Sequence, residues 1–282
     1  MDCMETTGRR RVVVPGPLWS HAAGWDDLLA PVPATDGSGL DLADGWPDRW
    51  RVIRRVAGDR VSCTVRELSR MPGLGGDPVR WFSWQRGQGH RPGLQYLVST
   101  GRHHGAESME EARALLALDF AGDLVDVVSQ PLLLRFTTAS GRRRDHTPDF
   151  LAVTRSGTWL IDVRPEPLIE DKDAESFAAA AEAALACGWR YAVAARWREH
   201  VPASLDALSS QRRPLKDPLG LRPGLLAAAR EHGATFGKAA AASGCEPAAR
   251  AQLLHLIWHR RIGIDLAGPL ADRSLLVPGA PR

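Results

Sequence analysis

Residues 146–165, HTPDFLAVTRSGTWLIDVRP, read as two strands joined by a tight turn. Phe150, Leu151 and Val153 belong to the first, and Trp159, Leu160, Ile161 and Val163 to the second, a run rich in β-formers. Ser156-Gly157 supplies the turn. Asp149 interrupts the first apolar run and Asp162 the second. A carboxylate inside an apolar strand is costly unless something compensates it. Two of them on adjacent strands can converge on one divalent ion, because hard cations prefer carboxylate oxygens. Asp162 and Arg164 are two apart, so both side chains leave the same sheet face. The hairpin is thus expected to present two acids and one fixed cation together. The alternative is a hairpin whose acids merely pair with nearby arginines.

The pair Pro148-Asp149, followed by Asp162-Val163-Arg164, resembles the PD-(D/E)xK nuclease core, with Arg where that superfamily usually has Lys. Lysine is a compact ammonium that can shed a proton when buried, whereas arginine stays charged and offers a planar fork. Arg164 therefore suits charge stabilisation or orientation of water, not the role of general base.

Outward from the hairpin, LVDVVSQPLLLRF (residues 124–136) reads as a strand broken at Gln130-Pro131. Before it, SMEEARALLALDFAGDL predicts a helix from about Ser108, with Ser108 and Glu111 spaced as a capping box. Met109, Ala112, Leu115, Leu116 and Leu118 mark its buried side. Glu111 shares the stripe of Leu115 and Leu118, while Glu110 points further round, toward solvent. Glu111 is either the capping partner of Ser108 or a third acid at the hairpin. Leu94, Tyr96 and Val98 alternate like a strand that ends at Gly101.

After Pro165, a helix with Asp173 as N-cap and Gly188 as stop would bury Phe177, Ala181, Ala184 and Leu185, and residues 189–197 would return as a strand. This order predicts an α/β fold, a mixed sheet flanked by helices. Lys172 reads as a solvated residue at the helix start. Residues 204–224 read as a linker, followed by two or three short helices and a closing hairpin, an order compatible with a small winged-helix-like C-terminal domain. His255 and His259 are four apart but lack the Glu of an HExxH pattern, so helix packing is the reading there.

The chain's 282 residues allow one large domain or two to three small ones, and 44% hydrophobic with 24% charged residues places it among globular proteins. No apolar run reaches a membrane span, and MDCMETTGRRRVVV lacks a secretory core. Cys3, Cys63, Cys187 and Cys245 form no CxxC pair, so a reduced cytoplasmic chain without structural zinc is expected. A net charge of +3 permits nucleic-acid binding without establishing it. The lysines are Lys172, Lys216 and Lys238, an Arg bias that base composition alone can produce. Trp19, Trp25, Trp46 and Trp50 argue against disorder in the first seventy residues. Val52 to Val65 reads as strand or short helix, Arg9 to Arg11 as a solvated tail, and MPGLGGDP (residues 71–78) as a linker. The expected divisions are therefore an N-terminal extension of no assigned role (1–75), a nuclease-like domain (76–203) and the C-terminal domain (204–282).

Several strings in order are more specific than the acid pair alone: FSWQRGQGHRPG, STGRHHGAESMEE, LALDF, VVSQP, HTPDF and IDVRP. Together they resemble the TnsA-like endonuclease subunit of heteromeric transposases, above all its actinobacterial forms, over about residues 80–200. The resemblance implies a restriction-endonuclease-like fold and metal-dependent hydrolysis of DNA at the 5′ strand ends of a mobile element. It places the family's helix acid on Glu111, its first hairpin acid on Asp149, its second on Asp162 and its Lys position on Arg164. Mg²⁺, or Mn²⁺ in its stead, would be held by Asp149 and Asp162 with the Val163 carbonyl as a further ligand, and Glu111 would bind a second ion or orient a coordinated water. Implied partners are double-stranded DNA, a DDE-type transposase subunit acting at the 3′ ends, and an ATPase regulator of transposition. The other readings are a catalytically weak architectural subunit, a stand-alone restriction or repair nuclease of the same fold, and a winged-helix DNA-binding regulator.

Overall fold

A computed structural model of the protein describes residues 16–32, 36–71, 76–80 and 92–279. The string 82–91 and Arg9 to Arg11 lie outside them. The first half comprises α1 (Trp46–Arg49), β1 (Arg51–Val56), β2 (Asp59–Thr64), α2 (Val65–Leu68), β3 (Gly93–Leu97), β4 (Arg102–Ala106), α3 (Met109–Ala121), β5 (Leu124–Ser129), β6 (Leu133–Thr137) and β7 (Arg143–His146). Then come β8 (Phe150–Thr154), β9 (Gly157–Val163), α4 (Asp171–Ala186), β10 (Arg190–Ala194), α5 (Val201–Ser209), α6 (Arg222–Ala228), α7 (Phe236–Ala241), α8 (Glu246–Trp258), β11 (Ile262–Gly263) and β12 (Val277–Pro278).

The expected hairpin is β8–β9, closed at Thr154↔Gly157, where Gly157 takes φ 141°, a value other residues rarely adopt. It forms the middle of a mixed sheet in the order β10-β9-β8-β5, antiparallel except that β10 runs parallel to β9. The period-2 alternation sends Phe150 and Ile161 into one core with Ala114, Leu115 and Leu118 of α3. Leu151 and Leu160 go to the other face, against Ala179, Ala180 and Ala183 of α4. The α/β class and the helix-flanked sheet are therefore present.

Several local expectations change. The run after Gly101 is a strand: β4 pairs with β3 along its whole length. Asp173 is not the cap of α4; Glu170 is, and the Asp173 carboxylate accepts from its amide at 3.1 Å. Leu185 is 72% exposed, because α4 turns its alanines to the sheet instead. The stretch beginning at 204 does not start as a linker, since Val201, Leu205 and Leu208, at i, i+4 and i+7, bury one side of α5.

A second four-stranded sheet, β2-β1-β6-β7, joins residues before and after the expected division at 75. Trp25 packs edge-on against Trp159 of the hairpin, with ring centroids 5.3 Å apart. The C-terminal helices and the short β11–β12 pair share a core with Leu18, Leu28, Leu116 and Phe120. Among the described residues, no helix is long and apolar enough to cross a membrane.

Candidate active site

Strand register decides where the hairpin acids stand. Phe150 pairs with Ile161, so Asp149, one residue earlier, sits opposite Asp162 at the open end of the hairpin. The Asp149 amide donates to the Ile161 carbonyl at 3.0 Å, and its Oδ2 accepts from the Val163 amide at 2.7 Å. The Val163 N–H thus anchors this acid. Part of the Asp149 residue remains accessible, yet protein surrounds its carboxyl on almost every side. Burial pushes its proton affinity well above the ordinary carboxylate range, and the charges of Asp162 and then Glu111 push it further. The Val163 amide opposes that shift without reversing it.

Asp162 is almost fully buried on the α4 side, where the side chains of β9 alternate. Tyr191 of β10 donates its hydroxyl to Oδ2 at 2.6 Å. His146, at the end of β7, brings Nε2 to 2.9 Å from Oδ1, where an ionised carboxylate requires it to donate. The His146 ring also stands edge-on to Phe177 of α4. Burial, and then the Asp162 charge, raise the Tyr191 hydroxyl well above its usual range, so it remains a donor.

Glu111 enters from the first turn of α3. Ser108 caps that helix by accepting from the Glu111 amide at 3.1 Å. The Glu111 carboxylate accepts from the Ser108 hydroxyl at 2.9 Å and from the Glu107 amide at 2.7 Å. Burial still raises its proton affinity despite both donors. The capping geometry is therefore present, and the Glu111 charge also bears on Asp149. Glu110 does not stay free in solvent, because it pairs with Arg113 and accepts from the Trp197 indole at 3.3 Å.

Arg164 leaves the strand on the Asp162 side and is held at the start of α4. Its Nε donates to the Leu168 carbonyl at 3.1 Å and lies 3.4 Å from Asp173. Lys172 pairs with Glu170 on the surface. His255 and His259 meet edge-on with ring centroids 4.4 Å apart and each approaches a backbone carbonyl, of Gln211 and Arg212 respectively.

A cavity of about 610 Å³ opens on the Glu111 side, lined among others by Arg80, Arg102, His104, Glu107, Ser129 and Gln130. Arg80 pairs with Glu107 and Arg102 with Asp126, with both guanidinium groups more than half exposed. Gln130 is marked in the sequence as a strand breaker and as part of the string VVSQP, without a role at the site. It is 4% exposed and takes φ 47°, and its amide donates to the Asp149 carbonyl at 2.7 Å. His146 and Tyr191 were also missed as partners of Asp162. The only signal for His146 was its place two residues before Pro148.

The charges of Asp162 and Glu111 both bear on Asp149, while Arg164 is engaged with Leu168 and Asp173. Among the described residues, no three His, Cys, Asp or Glu side chains are grouped closely enough to hold a metal by themselves. No protein-family model matches the chain, and a search of curated proteins found no match.

Proposed function

We propose that this chain is a DNA endonuclease subunit of a heteromeric transposase, hydrolysing phosphodiesters at the 5′ strand ends of the element with a divalent cation. The observation that carries the reading is Asp149: an enclosed carboxyl opposite Asp162, under the influence of the Glu111 charge, on a hairpin between α3 and α4. Such a group needs either a proton or a cation, and perturbed acid clusters beside a cavity mark functional sites. The donor chemistry fits Mg²⁺ or Mn²⁺, since every group offered is a hard oxygen. Asp149, Asp162 and Glu111 would hold the ion, with the Val163 carbonyl as a further oxygen. The ion would polarise a bound water and the scissile phosphate.

The remaining work falls to the chain itself. The Val163 amide and the Asp149 backbone bonds fix the Asp149 carboxylate, and Tyr191 and His146 fix that of Asp162. Fixed carboxylates do not need to reorganise as charge develops on the phosphate. Arg80 and Arg102 give the cavity wall cationic groups beside which a phosphate strand can lie. In this reading the sheet and its helices are a restriction-endonuclease-like core, and α6 to β12 a winged-helix-like module that meets DNA or the partner subunits. The partners are the DDE-type transposase and the ATPase regulator, with double-stranded DNA as substrate.

The test is 5′-end cleavage of a duplex carrying the element's ends, with the DDE-type transposase subunit and the ATPase regulator also present. Cleavage should need Mg²⁺ or Mn²⁺ and should disappear in Asp149→Ala while 3′ cleavage persists. An assembled complex whose 5′ cleavage survives Asp149→Ala would overturn the proposal. The tie of Arg164 to Leu168 and Asp173 favours a second reading, an architectural subunit with weak chemistry. In that case the complex would form and 3′ cleavage proceed with no 5′ cleavage by the wild-type chain.

A further inference from the structure

We infer that Gln130 supplies a side-chain oxygen to the divalent cation of this site, completing a ligand set that the acids alone do not. The inference rests on the reading of the site as a metal-dependent nuclease centre. Its starting point is local. β5 ends at Ser129, and Pro131 has no N–H to continue a ladder. Gln130, between them, adopts a left-handed φ of 47°, which a long unbranched residue seldom does. Such a conformation persists only where its surroundings enforce it. Here the Gln130 amide donates to the Asp149 carbonyl at 2.7 Å and its carbonyl accepts from Val79 at 2.9 Å. The unusual backbone therefore ties Gln130 directly to the acid at the centre of the cluster.

The side chain that results is 96% buried on the wall of the cavity that Glu111 also lines. Its Oε1 is sealed from solvent and has no hydrogen-bond partner among the described residues. Buried amide oxygens are nearly always paired, so an orphan beside a functional cluster asks for a missing donor or cation. A neutral donor would satisfy one acceptor. A divalent cation satisfies several at once, and carboxylates are at hand: Glu107 and Glu111 line the same cavity, and the Gln130 backbone bonds that of Asp149. Amide carbonyls of Gln and Asn belong to the ordinary oxygen ligands of such ions. An amide oxygen differs from the acids in carrying no charge. It adds a ligand without adding a fourth negative charge.

The probe is Mn²⁺ alone, titrated calorimetrically into the full-length protein without DNA or partners. Wild type should bind, and Asp149→Asn should not. Gln130→Met, similar in length but without a hard oxygen, should weaken Mn²⁺ binding at least tenfold, the size of loss typical when support of a metal site is removed. Gln130→Glu retains an oxygen at the same reach and should bind Mn²⁺ at least as tightly as wild type. Circular dichroism checks that each variant is folded; should Gln130→Met not fold, Gln130→Glu decides. If Gln130→Met binds like wild type, or if Gln130→Glu binds more weakly than wild type, Gln130 is no ligand and the nuclease reading stands on its acids. If wild type binds no Mn²⁺, or Asp149→Asn binds equally well, the nuclease reading falls and takes this inference with it.

Discussion

Asp149 is the residue at which fold and proposed chemistry pull in opposite directions. Its folded-state proton affinity is raised by burial and by Asp162 and Glu111. A carboxyl raised in the folded state contributes its full stability below its unfolded pKa, near 4. That contribution is lost as pH rises toward and through the folded value, at about 1.4 kcal/mol per unit of elevation. Asp149→Asn cannot ionise and escapes the loss. In metal-free protein this variant should therefore melt higher than wild type at pH 7 to 8, and the gap should shrink as pH falls toward 4. Thermal melts across that range in a chelator check it, and a wild-type advantage at pH 8 would refute the account. Tyr191 and His146 leave Asp162 in a different condition, because both its oxygens have donors. Neither donor was legible in the sequence, since each lies on a strand other than that of the acid and only the register brings them together. Gln130 was hidden for the same reason: a lone Gln before Pro reads as punctuation until its backbone is seen to bond Asp149.

At the scale of elements, α3 couples a capping motif to the site. Ser108→Ala removes the cap of the Glu111 amide and one donor to the Glu111 carboxylate. It should lower stability by about 1 kcal/mol, read as a shift in the urea midpoint with unchanged slope. An unchanged midpoint would mean that water replaces both bonds. Elements with strong local signals were legible. The β8–β9 hairpin alternates around a two-residue turn, and α3 begins at a capping serine and ends at Gly122, whose φ is 73°. Elements without contrast were not. α4 is so rich in alanine that its face is chosen by the sheet, which takes Ala179, Ala180 and Ala183 and leaves Leu185 outside. β4, RHHGA, has no apolar alternation and exists because β3 offers it a ladder. α5 lies where Pro, Ser and Asp masked a stripe of three apolar residues.

The whole molecule is held together by contacts that no local pattern encodes. β1 pairs with β6, some eighty residues later in the chain. Trp19 bridges to Asp265, and the Ser20 amide donates to the Ile264 carbonyl at 2.8 Å. The N-terminal segment, unreadable by itself, therefore serves as a strap between the mixed sheet and the C-terminal helices. Arg260 is the clearest joint in that strap. Its guanidinium donates to the carbonyls of Ala121, at the C-terminal end of α3, and of Ala23, while its Nε donates to the Ser20 carbonyl at 3.1 Å. It also lies over the Phe120 ring, 5.9 Å from the centroid. A cation at a helix C-terminus is favourable, and a planar fork can reach several carbonyls where an ammonium reaches fewer. Arg260→Ala would leave those part-buried carbonyls without their donor and should cost about 2–4 kcal/mol. Arg260→Lys should recover only part of that. Because α3 also carries Glu111, the loss should loosen the first turn of α3 less than its last. Hydrogen exchange should accelerate at Phe120 and Ala121 before Glu111. Equal acceleration along the helix would show that α3 responds as one rigid unit, and the joint would then bear on the site as well as on the fold.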